Sequence, residues 1–409
     1  MVGGHGEDPD AVRAVVASLR QRRNSISGEE RSHHQARVVR AFAAFAGLWE
    51  RRLAHTWQPP EGSAFPWAQV RLSLAALLPG FRHAQAQNGN GENGAGLIVA
   101  LILAGNTPLL AWAPLAAALL AGHAVFIKQS RDELLWTRLF VESLSEVDVE
   151  LASRIHLDLW PGEDPRTTAL VQAADAVIAY GGDTTLAALR RIVPNNIPFF
   201  PFGHAVSIGN IDSADEYTRC FAWDVLMYDQ AGCLSPHVLF VLGEPGEVTD
   251  ALAEGFRKET EVLDIPPVTD PAAAIAVRQA RDLANFEGQR FVGDSSLRWT
   301  IIQTDSGDSP APAPVGHGVV FIVPSSEADG GDILHRLGPL RCRISSVGVA
   351  GQITAPLREI LYRDGVSRIC PAGQMQTPPL DWPNGSTNLQ AELLKIRRNT
   401  EVKTVDGLA

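Results

Sequence analysis

The run Asp229-Gln-Ala-Gly-Cys233-Leu-Ser-Pro-His237 carries the residue types of a covalent catalyst. A thiol that follows Gly at the start of a turn or helix can have its pKa lowered by backbone N–H groups and act as a nucleophile. A lone cysteine is also commonly a buried structural residue, and the local sequence leaves both readings open. The other three cysteines sit in blander contexts: Cys220 on the apolar face of a helix, Cys342 in a strand and Cys370 at a strand end before Pro371. No CxxC pair occurs, so neither a disulfide framework nor a zinc site is expected, and no metal is assigned. Asn106, two residues before Pro108, reads locally as a turn residue. His204 and His237 lie near these motifs and could activate a thiol or protonate a leaving thiolate; structural and surface roles compete with that reading.

A second group of residues suits an anionic or hydroxyl-rich ligand. Lysine is scarce, occurring only at 128, 258, 395 and 403, and Lys128 ends an apolar strand with Gln129, Ser130 and Arg131 beside it. Gly181-Gly182-Asp183-Thr184 precedes a helical pattern, where a Gly pair lets phosphate approach the backbone N–H groups. Asp183 and Thr184 are equally ordinary helix-capping residues.

These side chains need a frame, and the hydropathy pattern supplies one. Residues 1–87 read as amphipathic helices, and 88–96 is a Gly/Asn-rich boundary. Short apolar strands at 97–104, 124–128, 155–160, 175–180 and 205–211 alternate with helices at 108–122, 132–146, 165–173, 184–192 and 214–228. That alternation predicts a doubly wound parallel α/β sheet with ligands beyond the carboxyl ends of its strands. From Cys233 a second α/β unit follows, with strands at 238–242, 298–303, 318–323 and 341–350 and helices at 248–260 and 271–286. The Pro-rich segment 304–318 is an exposed loop, and the long irregular segment 371–385 reads as functional.

The chain has 409 residues with 35 Lys+Arg against 46 Asp+Glu, a formal charge of -11. This argues against non-specific binding to nucleic acid or anionic membrane. The N-terminus lacks the apolar core of a signal peptide. The apolar run 95–127 is broken by Gly105-Asn106-Thr107-Pro108, so it reads as strand, turn and buried helix rather than a membrane span. A soluble, cytoplasmic chain is expected.

Five motifs occur in a telling order: AGNTPLL (104–110), AYGGDTTL (179–186), FPFGHAVS (200–207), YDQAGCLSP (228–236) and SRICPAGQMQTPPLDWPNG (367–385). Together they resemble the long-chain acyl-CoA reductase family, the reductase component of bacterial bioluminescence systems, within the aldehyde dehydrogenase superfamily. The resemblance runs from about residue 10 to 400 and implies an aldehyde dehydrogenase-like fold. Its parts would be a helical segment at 1–94 packing on the cofactor domain, a Rossmann-type NADP(H) domain at 95–229, a catalytic domain at 230–355 and a C-terminal return or interface segment at 356–409.

The resemblance also implies roles. Cys233 would attack an acyl thioester and hold the acyl group, with Asn106 and the backbone N–H of Cys233 as oxyanion donors. Lys128 would meet the adenosine ribose, with Ser130 and Arg131 on a 2′-phosphate, favouring NADPH with NADH as the alternative. Gly181, Gly182, Asp183 and Thr184 would lie near the pyrophosphate. Asp229 and Gln230 are read as orienting the Cys233 loop, and Met375 with Trp382 as either acyl-channel wall or plain packing. Implied partners are an acyl-CoA or acyl carrier protein thioester, an acyl-activating enzyme and a second copy of the chain.

Two departures from the superfamily matter. The segment Phe200-Pro-Phe-Gly-His204 lacks the carboxylate that activates water in ordinary aldehyde dehydrogenases, which favours acyl transfer plus reduction over hydrolysis. His335 stands where the superfamily usually places the Glu that binds the nicotinamide ribose. The competing activities are an acyl-phosphate reductase, and an acyltransferase or thioesterase that uses Cys233 without hydride transfer.

Overall fold

The computed structural model describes residues 8–24, 31–85, 96–212, 216–242, 244–305, 310–325, 331–385 and 387–396. Residues 88–95 of the expected boundary lie outside these. In chain order the elements are α1 (Pro9–Asn24), α2 (Arg31–Ala54), α3 (Trp67–Arg82), β1 (Ile98–Ile102), α4 (Trp112–Leu120), β2 (Ala124–Gln129), α5 (Leu135–Val147), α6 (Val149–Ala152), β3 (Ile155–Leu159), α7 (Pro165–Ala173), β4 (Ala176–Tyr180), α8 (Asp183–Ile192), β5 (Phe199–Phe202) and β6 (Val206–Ile211). They continue with α9 (Phe221–Leu226), β7 (Pro236–Val241), α10 (Pro245–Val262), α11 (Pro271–Phe286), β8 (Arg290–Gly293), β9 (Thr300–Gln303), β10 (Val319–Pro324), α12 (Gly331–Leu337), β11 (Ile344–Ala350), α13 (Ala355–Arg363), β12 (Arg368–Pro371) and α14 (Leu389–Lys395).

Strands β1–β5 form a parallel sheet in the order β3-β2-β1-β4-β5, with its switch point between β1 and β4. Every residue of β1 is buried, and the alternation of its side chains divides them between two cores. Val99 and Leu101 pack with Phe42, Phe45 and Trp49 of α2 and with Trp112 of α4. Ile98, Ala100 and Ile102 pack with Val12 and Val16 of α1 and Leu170 of α7. A strand covered on both faces cannot show polar alternation, which explains the unbroken apolar run. That run is buried in the protein core, and among the described residues no helix is long and apolar enough to cross a membrane.

The second sheet has seven strands in the order β12-β11-β6-β7-β10-β9-β8, parallel except for β8 against β9. Here the structure corrects the sequence reading. Strand β6 lies between β11 and β7, so the chain changes sheets between Phe202 and Val206 rather than near residue 230. A short buried strand carries no record of its neighbours. What seats it is a pair of glycines: Gly209 faces Gly348 of β11, and a Cβ on either would strike the Phe221 ring of α9 at under 3 Å.

The helix expected over 214–228 is also shorter. A 3₁₀ turn at Thr218–Cys220 leads into α9, which ends at Leu226. Tyr228, Asp229 and Gln230 then have φ of 54°, 53° and 60°, a left-handed run that stops any helix. At the C-terminal end, β12 extends the second sheet, while α14 returns to the first unit. His123 Nε2 lies 3.0 Å from the Leu393 carbonyl, linking α14 to the start of β2.

Candidate active site

The carboxyl ends of β1, β4 and β5 face the amino ends of β6, β7, β10 and β11 across a cavity of about 1670 Å³. Asn106, Tyr180, Gly181, Gly182, Phe202 and His204 line it from the first sheet's side; Gln230, Cys233, His237, Gly316, Arg343 and Ser345 line it from the second. Residues 376–382 and Asn384 form a further wall.

Cys233 occupies the turn that leads into β7, and each neighbouring residue is tied down. The Ser207 hydroxyl donates to the Cys233 carbonyl at 2.8 Å and sits 2.8 Å from Ser346 Oγ, linking the turn to β6 and β11. Asn106 Nδ2 donates to the Ala231 carbonyl at 2.9 Å. That bond uses one of the two N–H groups of the amide and holds the other beside the same turn. Gln230 is buried, and its Nε2 donates to the carbonyls of Pro236 (2.8 Å) and Val319 (3.1 Å), tying the loop to β7 and β10.

The thiol itself differs from expectation. Burial pushes the Cys233 pKa up, against opposing pulls from the Ser345 hydroxyl and its own backbone N–H. The turn before β7 offers no helix start, so desolvation wins. Tyr180, at the end of β4, is raised by burial and by the nearby Cys233, while the Asn384 side chain pulls the other way, so the phenol stays protonated. Its ring stacks on Phe202 at 4.8 Å and 18°. His237 is buried, its Nδ1 meets no hydrogen-bond partner among the described residues, and burial lowers its pKa to about 4. It therefore faces this cavity as a neutral imidazole. His204 is exposed on the opposite rim, its Nε2 against the position that a Cβ on Gly182 would take.

The cofactor candidates separate into two places. Gly182 caps α8 through its backbone, and Asp183 reaches across the cleft to Arg343 at 2.9 Å instead of capping the helix. Thr184 is exposed and lies off the cavity wall. Lys128, Ser130 and Arg131 stand at the carboxyl end of β2, one strand beyond β1. There Gly105 is required, because a Cβ would fall 2.6 Å from Asp132 Cβ and 2.7 Å from Ser130 Oγ. Burial, then Arg131, lowers the Lys128 pKa, and its ammonium makes no ion pair among the described residues.

Two candidates are displaced. His335 is exposed on α12 and, like Lys128, Ser130 and Arg131, lies outside the wall of this cavity. Met375 is fully buried in the core, its sulfur filling the space above Gly348, and it does not line the cavity; Trp382 does.

Sequence reasoning missed Asp224. This carboxylate is fully buried, accepts from the backbone N–H groups of Gly373 (2.6 Å) and Met375 (2.9 Å), and has its pKa pushed up to about 7 by burial. Gln376 Nε2 then bridges the Asp224 carbonyl (2.7 Å) and Ser235 Oγ (2.9 Å). The one available signal was an acid inside the apolar run FAWDVLM.

Two facing α/β sheets with a cysteine in the cleft define an aldehyde dehydrogenase-like protein. The fold is similar to a putative aldehyde dehydrogenase from Burkholderia cenocepacia, with a TM-score of 0.69 at 17% identity over 94% of this chain and 88% of that one. It is also similar to a mutant aldehyde dehydrogenase C from Pseudomonas syringae complexed with NAD+ and octanal, with a TM-score of 0.68 at 16% identity over 88% and 81% of the two chains. Residues 76–393 match the acyl-CoA reductase (LuxC) family, and the chain belongs to that family. Among curated proteins it is 26% identical to long-chain acyl-protein thioester reductase 2 of Photobacterium leiognathi, over 50% of this chain and 45% of that protein. A reductase of the same description from Photorhabdus luminescens is 26% identical over 50% and 44%. The similarity thus spans about half the length of these relatives.

Proposed function

We propose that the chain reduces an acyl thioester to the aldehyde, using a nicotinamide dinucleotide and a covalent acyl group on Cys233. The observation that carries this reading is the make-up of the cleft. It presents a thiol and an amide donor, while its carboxylates among the described lining residues are only Asp364 and Asp381. Asp364 is held by Arg341, and Asp381 is on the exposed rim. No carboxylate in the 200–204 segment can activate water. An acyl-enzyme formed here therefore meets no carboxylate base from that segment to drive its hydrolysis. The printed description of the relatives, acyl-protein thioester reductases, supports a thioester as donor.

In this reading the Cys233 sulfur attacks the thioester carbonyl, forming a new C–S bond. Asn106 and the Cys233 N–H receive the oxyanion. Collapse breaks the original C–S bond, and the departing thiolate leaves with the proton that Cys233 gives up. A bound reduced nicotinamide dinucleotide supplies the hydride that turns the acyl group into an aldehyde. Cys233 then departs as thiolate and regains a proton from solvent.

The chain's residues fit such a cofactor: an unpaired, half-buried Lys128 awaits hydroxyl or phosphate oxygens, and the Gly181-Gly182 backbone opens onto the cleft at the start of α8. Arg131 and Ser130 beside Lys128 favour NADPH over NADH. The acyl donor is a CoA or carrier-protein thioester, made by an acyl-activating partner, and the chain acts as a homo-oligomer in the cytoplasm.

The test is a panel of acyl-CoA and acyl carrier protein thioesters, with acyl phosphate alongside, following NADPH absorbance and identifying the product. Aldehyde from a thioester, lost with Cys233→Ala, is expected. Thioester consumption without NADPH oxidation would establish the transferase or thioesterase instead, and reduction of acyl phosphate alone would establish the acyl-phosphate reductase.

A further inference from the structure

Two stretches of left-handed backbone meet beside Cys233. Tyr228, Asp229 and Gln230 form one, three non-glycine residues in succession in a region that bulky side chains rarely enter. Gly316, His317 and Gly318, with φ of 82°, 54° and 70°, form the other, just before β10. His317 Nδ1 and Asp229 Oδ2, 2.6 Å apart, join the two turns.

Each strained residue ahead of the nucleophile has its own tether. The Tyr228 N–H donates to Gln69 Oε1 at 2.9 Å, and its hydroxyl hydrogen-bonds Ser73 at 2.7 Å, both on α3. Gln230 is tied to β7 and β10 through the bonds described above. Backbone strain of this kind persists only where the surroundings over-determine it, and it gathers at functional sites. The tethers of Tyr228 and Gln230 are buried, whereas the His317 and Asp229 side chains are 32% and 60% exposed. A partly exposed contact adds little to global stability, so its effect falls on local geometry.

We infer that His317 is a positioning residue for Cys233. By holding Asp229 it keeps the left-handed run from relaxing and fixes the backbone four residues ahead of the nucleophile. Pro314, Val315 and Gly316 line the same cavity as Cys233, so one segment forms a wall of the site and holds the nucleophile's loop. The inference rests on the proposed role of Cys233, and its test can be read without the proposed reaction.

Two variants separate positioning from chemistry. His317→Gly removes the imidazole but keeps a residue at ease in left-handed backbone. His317→Asn also tolerates that backbone and places an amide donor near the position of Nδ1. The readouts are the alkylation rate of Cys233 by iodoacetamide, followed by peptide mass spectrometry, together with kcat and KM for thioester reduction and the melting temperature. His317→Gly is expected to lower kcat about 10²-fold, the scale of an ångström's misplacement. KM and melting temperature should be unchanged, the alkylation rate should shift severalfold, and His317→Asn should restore most of both rates. Wild-type alkylation and turnover in His317→Gly would overturn the inference, as would a large loss of melting temperature or failure of His317→Asn to restore the rates. If the wild type reduces no thioester, the proposed function fails while alkylation still reads the contact.

Discussion

At the residue scale, the thiol and the amide are governed by opposite circumstances. Cys233 is desolvated, so its reactive thiolate is scarcer at neutral pH than for a free cysteine. Burial raises the pKa by penalising the charged form, and the thiolate gains only as pH climbs past the ordinary thiol value of about 8.5. The rate of Cys233 alkylation in the free protein should therefore still be rising where a free thiol levels off; a plateau below neutral pH would show an activated thiolate instead. Asn106 is exposed and, among the described residues, its side chain bonds the Ala231 carbonyl alone, so the fold depends on it little. Asn106→Ala should melt within a few degrees of wild type yet lose about 10²–10³ in kcat, the usual effect of removing one oxyanion donor. Single-turnover acylation would check this, and an unchanged rate would remove Asn106 from the oxyanion site. Both residues were legible in the sequence as candidates, through the motifs in which they sit. The direction of the thiol shift was not, since burial belongs to the folded chain.

At the scale of elements, α9 connects the second sheet to the cavity wall. Its Phe221 ring fits the trough left by Gly209 and Gly348, which sets Asp224 against the loop that begins at Gly373. Asp224 titrates at about 7 in the fold against an ordinary 3.8, so the folded state binds its proton more tightly than the unfolded chain. Such a group contributes stability that is present at low pH and is lost as pH rises toward 7, with a limiting slope of about 1.4 kcal/mol per pH unit. Urea unfolding should therefore show wild type gaining on Asp224→Asn as pH falls from about 7 toward 4, the window between the two pKa values. The opposite slope would mean that Asp224 is held as an anion by the Gly373 and Met375 N–H groups. The elements also show where sequence reading stops. Periodicity located most strands of the two sheets, though not β5 or β8, and the six residues of β6 look the same in either sheet. The left-handed run at 228–230 contains no glycine to announce it, and the choice between cavity wall and plain packing for Met375 stays open until Gly348 is seen beneath it.

At the scale of the whole molecule, the site exists only because two sheets present opposite ends to one cleft. The thiol comes from the amino ends of the second sheet and the candidate cofactor residues from the carboxyl ends of the first, an arrangement that separate motifs cannot express. The Asp183–Arg343 pair spans that cleft, but both side chains are about half exposed, so it adds little to holding the two units together. A dinucleotide reaching from Gly181-Gly182 to Lys128 would cross from β4 over β1 to β2, about 10 Å at the usual strand spacing. Its adenosine end would then meet Lys128 first, with Arg131 and Ser130 beyond it. Lys128→Ala should weaken NADPH and NADH alike, because ribose hydroxyls are common to both. Arg131→Ala should weaken NADPH about ten- to hundredfold and spare NADH, since a charge-assisted hydrogen bond to a 2′-phosphate is worth roughly 1.5–3 kcal/mol. Calorimetric titration of both cofactors into the two variants measures this directly. Equal losses for NADPH and NADH in Arg131→Ala would place the adenosine away from the end of β2, and with it the preference for NADPH.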